Sequence, residues 1–321
     1  MEENEFLSRI AYMYYRQDMD LKAIGKAFNT SYATISRSLK RARELGIITV
    51  NINNPISRLL EQEIALKERF NLRDVIAVNV SEISSNDEIK NLVAREAASY
   101  LINVIKDGDK LGISWGSTIY QLINNFIAMG GLCNGKKFDI DVVQLNGNFS
   151  TIPIELNSLD LVRRMKNMFS GSYYFLNSEA YVDSHEMQQF LFRSPSIQRT
   201  FTMHKSVNIA LLGIGAFNVQ SISKLYKDYL KIEEIIEIGD KKAIGENCLT
   251  FYDIDGNIID TDLYKRTITI NKEDLINIQN KVVIATGKEK VNAIIGAVRA
   301  KTVDILITDS QTLEEVLNKP G

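Results

Sequence analysis

The residues best suited to bind an anion stand in four short glycine-containing segments, each directly after an apolar run. The segments are Trp115-Gly116-Ser117-Thr118, Asn146-Gly147-Asn148, Gly213-Ile214-Gly215 and Thr286-Gly287-Lys288-Glu289-Lys290. Glycine allows tight turns, and the amides at a helix N-terminus attract phosphate. A glycine turn alone is usually structural, but four turns with a hydroxyl pair and a lysine favour an anion-binding pocket.

The elements that must position these turns are strands alternating with amphipathic helices. Apolar strands are predicted at residues 75–80, 110–114, 140–145, 207–212, 281–285 and 303–308, with helices between them, as at 88–104, 119–128 and 291–300. Several strands are apolar on both faces, which is typical of a parallel sheet covered by helices. Ligands of such sheets bind beyond the carboxyl ends of the strands. We therefore expect an α/β, Rossmann-like domain with ligand contacts from Gly116, Ser117, Thr118, Asn146, Gly147, Asn148, Gly213, Gly215, Gly287 and Lys290.

A second set of residues suits contact with DNA. Ile35, Leu39 and Ala42 form the buried stripe of a helix that Ser31 can cap, and no acid occurs from Ser31 to Arg43. A short helix over 21–28 precedes it, so the pair predicts a helix-turn-helix. We expect base contacts from Ser36, Arg37 and Lys40, and phosphate contacts from Lys26, Arg41 and Arg43. The full predicted DNA-contacting set is Lys26, Ser31, Tyr32, Thr34, Ser36, Arg37, Lys40, Arg41 and Arg43.

The rest of the N-terminal segment supports this interpretation. A first amphipathic helix carries Phe6, Ile10 and Tyr14, and Gly25 allows another backbone to approach the second helix closely. Gly46 ends the third helix, and the alternation of Ile48, Val50 and Ile52 predicts the wing of a winged variant. We predict a winged helix-turn-helix over residues 1–54, a hinge, and a second domain over 58–321. A plain three-helix dimerisation bundle is the alternative for the first.

Charge and composition limit the classes of function that this protein can have. The net charge is −2, yet residues 21–50 hold six basic residues against one acid, which indicates a nucleic-acid partner. The first residues do not resemble a signal peptide, and no apolar run reaches the roughly 18 residues of a membrane span. We expect a cytoplasmic protein with no membrane contact. Cys133 and Cys248 lack metal-ligand spacing, so we expect no metal.

Enzymatic chemistry is not favoured. The segment LGIG does not continue into a dinucleotide-binding motif, and no P-loop is present, so we expect no cofactor. Isomerase or deaminase chemistry needs an acid/base pair beside the substrate, but His185 and His204 lie outside the glycine turns. Asp309 either caps a helix or contacts the ligand.

Taken in order, these segments resemble the SorC family of bacterial sugar-responsive transcriptional regulators. The points of contact are LKAIGKAFNTSYATISRSLKRARELGIITVNI, LGISWGST, VVQLNGN, IALLGIG, ATGKEKVNAIIGAVRAK and VDILITD, from about residue 6 to 316. The resemblance implies a winged helix-turn-helix joined to an effector domain shaped like sugar-phosphate isomerases. It also implies assembly as a dimer or tetramer.

The resemblance further implies roles for individual residues. Ser117, Thr118, Gly147 and Lys290 would hold the effector's phosphate, and Glu246 falls where the family often has an acid near the ligand. Asn146 stands where some relatives have a basic residue. An amide cannot form an imine, so covalent capture of an aldehyde sugar is disfavoured.

Together these patterns predict a homo-oligomeric regulator, a repressor by default, of a carbohydrate or nucleoside operon. Its predicted partners are double-stranded operator DNA and a phosphorylated sugar. Two alternatives stay open: a sugar-phosphate isomerase- or deaminase-like enzyme, and a DNA-binding protein whose C-terminal domain serves only as an oligomerisation scaffold.

Overall fold

The computed structural model describes residues 3–48, 55–80, 85–130, 137–219 and 228–320. The chain divides into two compact units, Met1–Ser57 and Arg58–Gly321. The first is helical and the second is α/β, as the residue patterns predict. In these described ranges, no helix has the length and apolar character needed to cross a membrane.

Within residues 3–48 the first unit consists of three helices: α1 (Glu3–Tyr15), α2 (Leu21–Ala27) and α3 (Tyr32–Glu44). The side chain of Asp20 caps α2, and that of Ser31 caps α3 by accepting the Thr34 amide at 3.1 Å. The core of the unit contains Ile10, Ala11, Ile24, Ile35 and Leu39. The predicted buried stripe of α3 is confirmed.

Gly25 has the close backbone neighbour expected of it. A Cβ at this position would lie 2.8 Å from the carbonyl oxygen of Thr30, whose own amide donates to the Gly25 carbonyl. Any larger residue would push the α2–α3 turn away from α2. The predicted wing falls mostly on residues 49–54, including Val50 and Ile52, which lie outside the described residues.

Helix α4 (Pro55–Phe70) contains the boundary between Ser57 and Arg58, and the second unit then alternates strands with helices. In chain order it continues with β1 (Asp74–Val78), α5 (Asn86–Val104), β2 (Lys110–Ile113), α6 (Ser117–Ala128), β3 (Asp141–Gln144), α7 (Ser158–Lys166), β4 (Tyr173–Tyr174), α8 (His185–Phe192), α9 (Pro195–His204), β5 (Ile209–Gly213), β6 (Gly215–Ala216), α10 (Ile232–Asp240), β7 (Gly245–Asn247), β8 (Thr250–Tyr252), α11 (Lys272–Asn277), β9 (Asn280–Ile284), α12 (Val291–Arg299), β10 (Ile305–Asp309) and α13 (Ser310–Leu317). Short 3-10 helices occur at Ile154–Leu156, Asp262–Arg266 and Lys288–Lys290.

Seven strands form one parallel sheet in the order β1-β10-β9-β5-β2-β3-β4. All six predicted strands are present in it. Strand β4 and the small antiparallel sheet β6-β7-β8 were not predicted, because strands of two or three residues are too short to show an alternating pattern.

Each face of the large sheet carries its own hydrophobic core. Val143, Leu212 and Val283 point to one face, while their neighbours Val142, Leu211 and Val282 point to the other. Burial on both faces explains the continuous apolar runs in the sequence. Because β9, β5 and β2 are adjacent, their carboxyl ends bring three of the four glycine turns together.

Candidate functional site

A cavity of about 330 Å³ lies at the carboxyl ends of β2, β5 and β9. This volume is within the range of small-molecule sites. Seven of the predicted ligand-contacting residues meet in its wall: Gly116, Ser117, Thr118, Gly213, Gly215, Glu246 and Lys290. The remaining lining residues, which the sequence did not single out as ligand contacts, are Ser114, Trp115, Ile119, Ile214, Ala216 and Cys248.

The N-terminus of α6 forms one side of this pocket. Gly116 precedes the helix with φ of 120°, a conformation that favours glycine, and so turns the chain sharply from β2 into α6. The Ser117 hydroxyl is exposed and Thr118 is buried beside it. The first amides of a helix have no acceptor within the helix, so this end attracts an oxyanion.

Lys290 provides the positive charge of the pocket. The 3-10 helix Lys288–Lys290 places it at the start of α12, where it is half-buried. Burial lowers the pKa of Lys290, an effect that the charges of Glu289 and Glu246 oppose. Among the described residues no carboxylate lies within 4 Å of its ammonium, so this charge remains available to a bound anion.

A hydrogen-bond chain fixes the turn that carries Lys290. The amide of Gly287 donates to the Thr312 hydroxyl at 2.9 Å, and this hydroxyl donates to the Asp309 carboxylate at 2.6 Å. Asp309 also caps α13 by accepting the Thr312 amide. Of the two roles that the sequence allowed for Asp309, the structure shows the cap. Gly287 itself does not line the pocket.

Glu246 adds an acidic group to the pocket wall. It lies on β7 directly across from Gly215 of β6, and it is only 4% exposed. Its Oε2 accepts the Leu249 amide at 2.8 Å. A Cβ at position 215 would collide with the Glu246 carboxylate, so glycine at 215 makes room for the acid.

A strained hairpin turn adds Cys248 to the pocket. Cys248 and Leu249 join β7 to β8 with φ values of 51° and 64°. Two-residue turns of this kind usually contain asparagine and glycine, and other residues there cost about 1–2 kcal/mol each. Because the turn contains no glycine, no residue pattern predicted it. Burial raises the pKa of the Cys248 thiol to about 12, so the pocket contains a neutral thiol.

The segment 146–148 does not line this pocket, contrary to the expectation from the sequence. Asn146 is fully buried and pairs with Thr269, while the Gly147 amide donates to the Ile268 carbonyl at 2.8 Å. A Cβ on Gly147 would lie 2.5 Å from the Glu179 carbonyl oxygen. The side chain of Asn148 accepts a hydrogen bond from the Gln144 side-chain amide at 3.0 Å and donates one to the Ser178 carbonyl at 3.3 Å. These residues support packing beyond β3, where the glycine permits two backbones to touch.

The exposed face of α3 carries Ser36, Arg37 and Lys40, and Tyr32 is 60% exposed near its start. Other predicted DNA contacts already have partners in the chain. Arg41 pairs with Glu44 at 3.4 Å, and the Arg43 guanidinium donates to the Tyr15 hydroxyl. The hydroxyls of Ser31 and Thr34 bond each other at 2.9 Å, while Lys26 is exposed at the end of α2.

Neither histidine reaches the pocket. His204 is buried with its Nε2 2.8 Å from the Gln144 carbonyl, and burial lowers its pKa to about 4. His185 lies on the surface with its Nδ1 3.0 Å from the Lys265 carbonyl. Across the described ranges, no group of three or more histidine, cysteine or acidic side chains could hold a metal ion.

The comparisons with known proteins agree on one family. Residues 54–318 match the model of the Sugar-bind family, a sugar-binding domain. The chain is 27% identical over 317 residues to the deoxyribonucleoside regulator of Bacillus subtilis, covering 99% of this chain and 98% of that protein. It is 25% identical over 316 residues to the sorbitol operon regulator of Klebsiella pneumoniae, covering 98% of each.

A solved structure shows the same likeness at the level of the fold. The crystal structure of the full-length sorbitol operon regulator SorC from Klebsiella pneumoniae superposes with a TM-score of 0.75 at 25% identity, covering 99% of this chain and 100% of that one. The resemblance to SorC regulators seen in the sequence is confirmed, and the chain belongs to the Sugar-bind family.

Proposed function

We propose that this protein is a DNA-binding transcriptional regulator whose second unit senses a phosphorylated sugar. The observation that carries this proposal is the pocket itself, where the N-terminus of α6 and Lys290 offer donors to a phosphate. Glu246, in the same pocket wall, can accept hydrogen bonds from sugar hydroxyls. Relatives named deoxyribonucleoside regulator and sorbitol operon regulator support a carbohydrate or nucleoside operon as the target.

The DNA-binding part of the proposal rests on α3. Ser36, Arg37 and Lys40 face outward and have no acidic partner among the described residues, as base and phosphate contacts require. A homo-oligomer, dimer or tetramer, would place two such helices in successive major grooves of a pseudo-palindromic operator. Effector binding would change operator affinity by the effector's preference between two arrangements of subunits, typically about 1–3 kcal/mol. Such a protein works in the cytoplasm.

Effector binding can be tested with the protein's own fluorescence. Trp115 is the single tryptophan of the chain, it lines the pocket, and its ring lies 4.6 Å from that of Phe149. Titration with five- and six-carbon sugar phosphates should give a saturable change in its emission, whereas the same sugars without phosphate should bind far more weakly. An equal response to both would contradict a phosphate site.

Operator binding can be tested with labelled DNA from the protein's own promoter region. Binding should weaken steeply with salt, as expected for phosphate contacts, and should change about 5- to 150-fold when an effector is added. Absence of salt-sensitive binding, with and without effector, would contradict the regulator.

The same titrations separate the two alternatives. An oligomerisation scaffold would give no saturable fluorescence change with any sugar phosphate. An isomerase or deaminase would convert the compound, which NMR of the titrated sample would detect. We expect the compound to be recovered unchanged, because the pocket wall contains no histidine and its thiol is neutral.

A further inference from the structure

A second basic surface lies at the β4 edge of the large sheet, away from the pocket described above. Strand β4 pairs with β3 and has no other neighbour among the described strands. Helix α7 covers one face of the sheet here through Val162, and α9 covers the other through Met203. The two helices thus flank the sheet edge.

Two adjoining clefts open along this edge. The larger, of about 760 Å³, is lined by Lys166, Gly171, Ser172, Tyr173, Tyr174, Arg199, Thr202 and Met203. The smaller, of about 340 Å³, is lined by Arg163, Lys166, Asn167, Tyr173 and Phe175. Both clefts contain Lys166 and Tyr173 in their walls, so they adjoin, and together we call them the edge groove. In the described part of the chain, three cations and no carboxylate line it.

The cations of the edge groove are not neutralised within the protein. Arg163, Lys166 and Arg199 form no ion pair with any described residue. Two nearby acids already have partners: Asp160 pairs with Arg164 at 2.7 Å, and Asp141 accepts the Ser172 amide at 2.9 Å. Unpaired cations of this density attract a polyanion.

An exposed aromatic side chain stands between these cations. Tyr173 is 49% exposed, and the Lys166 ammonium lies 5.3 Å from the centre of its ring. Its ring also lies 4.8 Å from that of Phe175. Cations beside an accessible aromatic face are the features with which proteins bind single-stranded nucleic acid, since phosphates contact the cations and bases stack on the ring.

We propose that the edge groove binds single-stranded nucleic acid, with phosphates on Arg163, Lys166 and Arg199 and an unpaired base on Tyr173. A polymer fits better than a small anion, because the groove is more than twice the volume of the effector pocket and has cations on both helices. An added peptide strand fits less well, because β4 has two residues and a lysine beside it, features that discourage strand pairing.

The test measures the binding of fluorescein-labelled 20-nucleotide oligonucleotides, single-stranded and duplex, by fluorescence anisotropy between 50 and 200 mM salt. The full chain carries Arg37→Ala and Lys40→Ala, which lowers any contribution of α3. Lys166→Gln with Arg199→Gln should weaken single-strand binding about tenfold and reduce the slope of log affinity against log salt by about 1.4. The control pair, Lys272→Gln with Lys319→Gln, removes the same charge from exposed positions of the second unit.

Tyr173→Leu isolates base stacking from charge. It should weaken single-strand binding at least fivefold and leave duplex binding unchanged, since duplex bases are not free to stack. Circular dichroism melting would verify that each variant folds. An equal effect on both nucleic acids would overturn the assignment, as would an equal loss in the control pair or tighter binding of poly-L-glutamate. These readouts do not depend on whether α3 contacts an operator.

Discussion

The two candidate sites of this protein are built in opposite ways. The proposed DNA-contacting side chains lie mostly on one helix, α3, where the spacing of its buried stripe decides which residues face outward. The pocket instead gathers residues from four separate segments between Ser114 and Lys290. A local site depends on one helix, whereas a dispersed site depends on the whole sheet.

The charged side chains of the two sites also differ in their exposure to water. Arg37 and Lys40 are exposed to water, which screens their charges. Lys290 and Glu246 lie in the pocket wall, where burial lowers the lysine's pKa and where each charge has a stronger effect. Substitutions in the second unit should therefore produce larger effects than those in the first.

The largest expected difference between the two units is in their stability at acidic pH, because both histidines lie in the second unit. Burial lowers the pKa of His204 from 6.5 to about 4, so the unfolded chain binds a proton that the folded chain does not. The free energy of unfolding of this unit should fall by about 3 kcal/mol as the pH falls from 6.5 to 4.

Urea unfolding monitored by Trp115 fluorescence at pH 7.0, 5.5 and 4.5 measures this loss. His204→Gln is the matched control, because its amide can still donate to the Gln144 carbonyl without titrating. An equally steep pH dependence in this variant would show that another group is responsible.

Loss of the pocket cation should produce the next largest effect. Lys290→Met removes a charge-assisted hydrogen bond to phosphate and should weaken sugar-phosphate binding about 30- to 100-fold, which corresponds to about 2–3 kcal/mol. Calorimetric titration measures it. Lys288→Gln, two residues away and exposed, should change affinity little because Lys288 pairs with Glu315 at 3.1 Å. Equal losses of affinity in both variants would show that Lys290 does not bind the phosphate.

Loss of one cation from α3 should have a smaller and separate effect. Arg37→Ala should weaken operator binding about tenfold and leave effector affinity unchanged. Fluorescence anisotropy with promoter DNA measures it. Arg9→Ala is the matched control, since Arg9 is on α1 and pairs with Glu5 at 2.9 Å. If Arg37→Ala also damaged effector binding, the division of labour between the units would be wrong.

The smallest expected effect is local to the first unit. Ser31→Ala removes the N-cap of α3 and should lower the stability of this unit by about 1 kcal/mol. Hydrogen exchange of the α3 amides should increase, while exchange in the large sheet should not. Faster exchange in both units would mean that they unfold together.

Much of this architecture followed from local patterns. The i, i+4, i+7 spacing of Ile35, Leu39 and Ala42 predicted the buried face of α3, and the apolar runs predicted six strands of the sheet. Gly116 and Gly215 were correctly placed beside a pocket, because adjacent parallel strands end at one edge. These inferences need only the periodicity of helices and strands.

The sequence by itself determined the kinds of element and the residues available at the strand ends. Only the tertiary structure decided which ends meet. It moved Asn146, Gly147 and Asn148 out of the pocket into backbone packing and brought Cys248 in. It also brought the Arg43 guanidinium to the Tyr15 hydroxyl as a hydrogen-bond donor, and it placed Arg199 across a sheet edge from Lys166. The physical reason is that spacing along a chain fixes neighbours within one element, whereas contacts between distant segments depend on packing of the whole sheet.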